Sequence, residues 1–438
     1  MRSESPAHSD ENRSDKCLCN ILRQNRSSVT LQELNTKDTV LLIDCEMSRL
    51  PFSSAEYDRR IAGVRDALEQ KKLDALIGSI HWNVHYLTGV GLAANHYKVV
   101  VVPRDGELVG VTRELEIPGA RATSLVKNWV PWMDEGDPTY MSLNPMKATA
   151  EALRQLGLEG KRVGIETGIA RFINHMTVRN YECLKKLMPD TKFVDDDNIV
   201  GNLRVIKSDA EIECMRRAAV ITERTALEAI DNIRPGRSEA EVYGEAARRA
   251  WSHDDCNGLT LHLQAGRAGT LIHVSSRGQA NLIRQGDAIF MELGATVNSY
   301  FNTRIRTICV GEPSPAVQKV ASAVLSGLNK AIDFIRPGVT SAEVDHASRS
   351  EIAKAGYGEH LKHRLGYSLG LGWNEGEILS LRAEDQTKMK TGMVFHMVPG
   401  IWSPELGFGV SFSENVLVTK DGHEVIDTGM LERKLYIR

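Results

Sequence analysis

Residues Gly286 to Thr307, GDAIFMELGATVNSYFNTRIRT, decide how the C-terminal half of this chain folds. A Gly-Asp turn leads into a short apolar strand, Ala288 to Met291, and the carboxylate Glu292 stands where that strand is expected to end. A Gly-Ala turn, the aromatic pair Tyr300 and Phe301, and a returning strand carrying Arg306 and Thr307 follow. Two apolar runs around a Gly/Asn/Ser-rich turn read as a β-hairpin. A carboxylate on the inner face of such a hairpin is costly unless something pairs with it. Glu292 therefore meets a positive group of the protein, with Arg304 and Arg306 the nearest in sequence, or it awaits a cationic ligand.

Outward from the hairpin, the chain repeats itself. AIDNIRPGRSEAEV (229–242) matches AIDFIRPGVTSAEV (331–344) at ten of fourteen positions. Each copy reads as a helix end, a Pro-Gly turn where proline stops the helix, an N-cap Ser and a new helix. The C-terminal half is thus expected to be an internal duplication, two helix-helix-strand units about a pseudo-twofold axis. The helix before the first copy, IKSDAEIECMRRAAVITERTALEAIDNI, has Ser208 as its N-cap and acidic residues in its first turn.

The N-terminal half reads differently. A helix begins at Ser53, with Tyr57, Ile61, Val64 and Leu68 on one face. DALIGS, KVVVVP and KRVGIET read as strands and MKATAEALRQLGL as a helix, which is the alternation of an α/β layer domain over residues 51–200. The polar-aromatic stretch His81 to His96 reads as a loop, and Trp129 and Trp132 read as core aromatics or as a wall over a neighbouring site. Residues 1–50 form a polar leader of flexible composition, with one short apolar run, Thr39 to Cys45.

Composition excludes several classes of function. The 438 residues, 42% hydrophobic, suffice for two or three domains with real cores. A net charge of -3 gives no electrostatic basis for binding nucleic acid or an anionic membrane. No apolar run reaches the roughly 18–20 residues of a spanning helix. Seven scattered cysteines suit a reducing cytoplasm better than a disulfide framework.

Taken in order, IKSDAEIECMR, the duplicated Pro-Gly units, the GD-strand-Glu hairpin, GYSLG (366–370), TGMVFHMVPGIW (391–402) and SENVLVTKDGHEVI resemble the pita-bread family of methionine aminopeptidase, prolidase and creatinase. The resemblance covers about residues 53 to 432. It implies an α/β creatinase-like N-terminal domain and an α+β pita-bread domain over 201–438. The metallopeptidases of this family bind two metal ions through two Asp, one His and two Glu. By motif, those ligand positions fall here on Glu292, Thr303, Tyr367, Val398 and Ser413, the last of these one residue before Glu414. Four of the five lack the donors that a hard divalent ion needs. The expectation is no metal and no other cofactor.

What the resemblance leaves is the metal-free chemistry of the creatinase branch, with the variants GYSLGLGW and FHMVPGIW most like ectoine hydrolase and next like creatinase. It implies hydrolysis of a C–N bond in a small cationic or zwitterionic amidine or guanidine-type compound. His273 matches the family's catalytic histidine, suited to taking a proton from water and returning it to a leaving nitrogen. Glu292 is either the group that grips an amidinium or a nucleophile that adds to its carbon. Tyr367 and His396 should point into the former metal cavity, the one donating a hydroxyl and the other holding a substrate carboxylate. Trp373, Trp402, Tyr300, Arg306 and Glu414 complete the candidate substrate-binding set, although strand alternation turns Glu414 away unless a bulge re-aims it. A cytoplasmic homodimer is the expected assembly. The rivals are a catalytically silent pita-bread binding domain and an Xaa-Pro-type metallopeptidase.

Overall fold

The computed structural model describes residues 50–438 except 93, 137, 139–141, 168–173, 272–280 and 373–377. The leader with its apolar run at 39–45, His273 and Trp373 therefore lie outside the described residues. The chain divides into two compact units, one ending at Asp196 and one running from Asp197 to Arg438.

The first unit is a six-stranded mixed sheet flanked by helices. In chain order it runs α1 (Ser54–Lys71), β1 (Ala75–Gly78), α2 (His81–Thr88), β2 (Val99–Pro103), β3 (Val109–Arg113), α3 (Ile117–Thr123), β4 (Asn128–Trp132), α4 (Leu143–Gln155), β5 (Arg162–Ile165), α5 (Val178–Leu187) and β6 (Lys192–Asp195). The strand order is β4-β3-β2-β1-β5-β6, with β1–β5, β5–β6 and β3–β4 parallel. Helix α1 buries Tyr57, Ile61, Val64 and Leu68, the stripe its spacing foretells, although the Ser53 hydroxyl makes no capping bond.

His81–Thr88 is a helix, not the loop that its polar-aromatic composition suggests. The buried carboxylate of Glu166 accepts from Ser79 N at 2.6 Å, Ile80 N at 2.5 Å and Asn83 Nδ2 at 2.6 Å, so it anchors the two residues that lead into that helix and one side chain of its first turn. Burial, with Asp196 nearby, pushes the Glu166 carboxyl up to about 7. Trp129 and Trp132 belong to the core: each is at most 3% exposed and each indole N–H meets a backbone carbonyl, of Val126 and Tyr97 respectively.

The second unit begins with α6 (Ile199–Arg204), α7 (Asp209–Asn232) and α8 (Glu239–Trp251). Next come β7 (Gly258–Ala265), β8 (Ala288–Val297) and β9 (Tyr300–Cys309). The second half follows with α9 (Pro315–Phe334), α10 (Ser341–Lys354), β10 (Gly366–Ser368), β11 (Ser380–Leu381) and β12 (Val394–Met397). It closes with β13 (Gly400–Ser403), β14 (Phe408–Ser411), β15 (Glu414–Val418), β16 (His423–Val425) and β17 (Tyr436–Ile437). The sheets are ordered β17-β9-β8-β7 and β11-β10-β12-β15-β16, with β13 and β14 paired on their own. No helix among the described residues is long and apolar enough to cross a membrane.

The duplication is written in the backbone. Helices α8 and α10 both start in capping boxes, Ser238 with Glu241 and Thr340 with Glu343. The second cap is therefore Thr340, and Ser341 is the first helical residue. Both Pro-Gly turns place glycine in the left-handed region, Gly236 at φ +87° and Gly338 at φ +90°. Each turn is clamped by a reciprocal pair of backbone hydrogen bonds, to Ile283 in the first half and to Met389 in the second. Nine residues beyond those clamps stand Glu292 and Val398, so the two are duplication mates.

The deciding hairpin is longer than its sequence suggests. Its turn is Asn298–Ser299, both at positive φ (+50° and +65°), not Gly294–Ala295. Two left-handed residues make the two-residue loop whose twist suits a hairpin. Gly294 and Ala295 remain in the ladder, and Glu292 sits mid-strand with its face fixed by the register.

Candidate active site

Along β8 the odd residues Ile289, Met291 and Leu293 join a core with Ala226, Ala229 and Ile230 of α7 and with Val242 and Ala246 of α8. Alternation therefore aims Glu292 at the opposite face, with Phe290. Across the ladder Glu292 lies opposite Ile305 on one side and His262 on the other. Phe290, Ile305, Tyr367 and Val398 form an apolar cluster on that face, with Trp402 packed against it. Glu292 is 3% exposed, and burial pushes its carboxyl up to about 7, near the pH at which a general base or counter-ion switches state.

The same alternation corrects three candidates. Arg304 and Arg306 lie opposite Leu293 and Met291, so they point to the helix face and cannot reach Glu292. Arg306 donates to the carbonyls of Glu432, Ile305, Ser413 and Leu431 and to Glu414 at 2.8 Å. Glu414, 2% exposed, also meets Arg304 at 3.1 Å and Arg433 at 3.1 Å. Burial alone would raise the Glu414 carboxyl, but the three guanidinium groups hold it below the usual range. Tyr300 stands on the same helix face, and its hydroxyl donates to Glu211 at 2.5 Å. Arg306, Glu414 and Tyr300 are thus parts of the scaffold rather than substrate contacts.

The expected family ligand positions converge, but with other chemistry. Thr303 Oγ1 donates to the Leu293 carbonyl at 3.1 Å. Ser413 Oγ accepts the Ile305 N–H at 2.6 Å and lies 2.7 Å from His396 Nε2. His396 Nδ1 lies 3.2 Å from the Tyr367 hydroxyl, its partner across the β10–β12 ladder. His396 is fully buried and both its ring nitrogens face protein groups, so it links Tyr367 to Ser413 and does not hold a substrate carboxylate. Burial, then Arg304 and His363, keep it well below the ordinary imidazole range and neutral. With Val398 at one position and two hydroxyls bonded to the backbone fold, Glu292 is the single carboxylate of the five. Among the described residues no three His, Cys, Asp or Glu gather as a metal site. The side chains present do not fit a two-ion centre.

Trp402 is brought to the site, its ring edge-on to Phe290 at 6.0 Å and to His363 at 6.2 Å. Its indole N–H is buried without a hydrogen-bond partner among the described residues, a donor suited to a ligand acceptor. His273 and Trp373 lie outside the described residues. The structure adds three residues that motif reading missed. His262 faces Glu292 from β7, and the alternation in LTLHLQA, with Thr260, His262 and Gln264 on one face, carried that signal. His363 meets Trp402 edge-on, and the Arg364 guanidinium lies 5.0 Å over the Tyr367 ring while donating to Ser380 Oγ. Nothing in the sequence pattern singles out those two.

Comparison with known proteins agrees with this architecture. Residues 213–420 match the metallopeptidase family M24 and residues 60–206 match the creatinase/prolidase N-terminal domain. The chain is 31% identical over 384 residues to an uncharacterized hydrolase/peptidase of Sinorhizobium fredii, covering 86% of this chain and 95% of that one. It is 26% identical over 412 residues to the ectoine hydrolase of Halomonas elongata (89% and 99% covered). It is 27% identical over 366 residues to an Xaa-Pro dipeptidase of Pyrococcus horikoshii (83% and 95% covered). The prolidase of Thermococcus sibiricus shares the fold at a TM-score of 0.77, with 24% identity over 88% of this chain and 100% of that one. Two domains in this order, a duplicated C-terminal unit and a relative above 30% identity over nearly its whole length place the chain in the M24 family of hydrolases, with a creatinase-type N-terminal domain and a pita-bread C-terminal domain.

Proposed function

We propose that this protein is a metal-independent hydrolase that opens a C–N bond in a small amidine or guanidine-type compound, with ectoine as the best substrate. The observation that carries the reading is the buried carboxylate Glu292, the one carboxylate among the five family ligand positions, on the face of an apolar wall that holds its duplication mate Val398. Such a site suits one delocalised cation and disfavours a second cation. The ectoine hydrolase relative, 26% identical over 99% of its length, supports this substrate. In the reaction water adds to the amidine carbon, the bond to one ring nitrogen breaks, and that nitrogen leaves as an amine while the carbon keeps oxygen as an acetamide. His273 takes the proton of water and returns it to the leaving nitrogen. Glu292 holds the cationic carbon–nitrogen unit or adds to its carbon first. The Tyr367 hydroxyl stabilises the charge that develops on oxygen. A cytoplasmic homodimer belongs to the same reading.

The rival is an Xaa-Pro peptidase, favoured by the equally similar Pyrococcus horikoshii dipeptidase. Val398, Thr303 and Ser413 at the ligand positions count against it. Purified protein, analysed for metal and stripped by chelation, is assayed on ectoine and on an Xaa-Pro dipeptide with and without added manganese, beside His273→Ala. Ring opening by stripped protein and none by the variant support the proposal. Manganese-dependent dipeptide cleavage without ring opening overturns it.

A further inference from the structure

The hydrogen bonds Ile305 N–H to Ser413 Oγ, Ser413 Oγ with His396 Nε2, and His396 Nδ1 with Tyr367 Oη form one continuous chain. Its polarity follows from its first member. A peptide N–H only donates, and Ile305 is held in β9 by its ladder and by the return bond from Ser413 N to its carbonyl at 3.1 Å. Ser413 Oγ therefore accepts at that end. The hydroxyl is fully buried, and among the described residues its one hydrogen has a single acceptor, His396 Nε2 at 2.7 Å. Were Nε2 to carry a proton instead, the Ser413 hydrogen would be left buried and unbonded, a penalty of about 1–3 kcal/mol. A neutral imidazole that accepts at Nε2 carries its proton at Nδ1. That proton goes to the Tyr367 oxygen, so the Tyr367 hydroxyl donates its own hydrogen away from His396. Tyr367 shares its cluster with Phe290, Ile305 and Val398, the wall on the Glu292 face.

We propose that Ser413 and His396 are positioning residues that fix the Tyr367 hydroxyl as a hydrogen-bond donor toward the Glu292 pocket. The site then recognises an acceptor oxygen there, a carbonyl or the oxyanion forming from it, and rejects a donor group at that point. The direction of the whole chain is set by a backbone amide, which cannot reverse. The inference rests on the proposed hydrolase reading for its catalytic consequence, but the proton arrangement stands independently of any substrate.

The first test therefore needs none. Protein labelled with 15N at histidine is examined by NMR through the neutral pH range, with His396→Gln assigning the ring by difference. The expected His396 signals are a protonated Nδ1 and an unprotonated Nε2 that do not titrate. A protonated Nε2, or a doubly protonated ring, overturns the proposal. Ser413→Ala is expected to convert His396 to the other tautomer or to a mixture, and Ser413→Thr to preserve the wild-type signals. An unchanged tautomer in Ser413→Ala overturns the role of Ser413, and if that variant does not fold, the wild-type and Thr spectra still decide. In the ectoine assay Ser413→Ala should lower kcat roughly 10- to 100-fold with KM little changed, and Ser413→Thr should restore it. A KM effect alone in Ser413→Ala contradicts an oriented donor. Wild-type protein that shows the expected tautomer yet leaves ectoine intact would remove the hydrolase reading and keep the relay.

Discussion

Glu292 and Arg306 occupy neighbouring rungs of one β ladder and point to opposite faces of it, because Glu292 is opposite Ile305 and Arg306 is opposite Met291. The cations nearest in sequence are therefore committed elsewhere, to Glu414 and Glu223. Glu414→Gln should lower the free energy of unfolding by about 3–5 kcal/mol, since it leaves buried guanidinium groups undercompensated. Urea unfolding checks this, and a loss below 1 kcal/mol would mean that the pairs do not form as described.

Glu292 should make the protein less stable as pH rises. Its carboxyl is raised from an ordinary 4.5 to about 7, so its contribution is fully present below 4.5 and is lost as pH climbs through about 7. The difference is worth roughly 3 kcal/mol. Glu292→Gln should flatten this slope, so that the variant gains on wild type between pH 5 and 8 in paired urea titrations. Ionisation of the same group should make kcat/KM on ectoine rise with an apparent pKa near 7, and Glu292→Gln should be inactive.

Tyr367→Phe removes one hydroxyl from an otherwise apolar wall. The expected result is a fall in kcat of roughly 10²- to 10³-fold, the scale of losing one oxyanion donor. Loss of the acceptor for the His396 Nδ1 proton should also lower stability by about 1–3 kcal/mol, and steady-state kinetics beside a melting curve separates the two.

In the first unit Glu166→Ala removes the acceptor of the Ser79 and Ile80 N–H groups, which lead into His81–Thr88, and of one Asn83 amide hydrogen. With each buried loss worth about 1–3 kcal/mol, the cost should be on the order of 3 kcal/mol or more. Hydrogen exchange at Ser79 and Ile80 should accelerate first, before exchange in the strands β1 and β5.

Gly409 approaches the backbone of Gly269 closely: a Cβ there would come within 2.1 Å of the Gly269 oxygen and 3.0 Å of the Trp402 ring. Gly409→Ala should cost about 1–3 kcal/mol through overpacking. It should also impair turnover through Trp402, to a larger degree than a surface Gly→Ala such as Gly422, which has open space around it.

The fold was largely legible because its signals are local. Pro-Gly turns, capping boxes and the 2-residue and 3.6-residue periods of apolar residues state the elements and the duplication directly, as in α7 from Ser208 and the paired turns at Gly236 and Gly338. Of the residues the motifs single out, the structure gathers Tyr367, Val398 and Trp402 on one wall, on the face to which alternation turns Glu292. The site was misread at Arg306, Glu414 and Tyr300, because being near Glu292 in a motif says nothing of which face a strand residue takes. One residue's shift in the register would have reversed every assignment. The helix at His81 was hidden for a different reason: Glu166, which anchors the residues leading into it, lies more than eighty residues away.

The duplicated half-units have a consequence for how a guest can sit. A fold that builds the same place twice offers, in principle, two equivalent anchors and two equivalent orientations. With Glu292 at one and Val398 at its mate, that equivalence is broken by a single side chain. On the proposed hydrolase reading, a guest with a single cation then has one seating, its cation toward Glu292 and away from Val398.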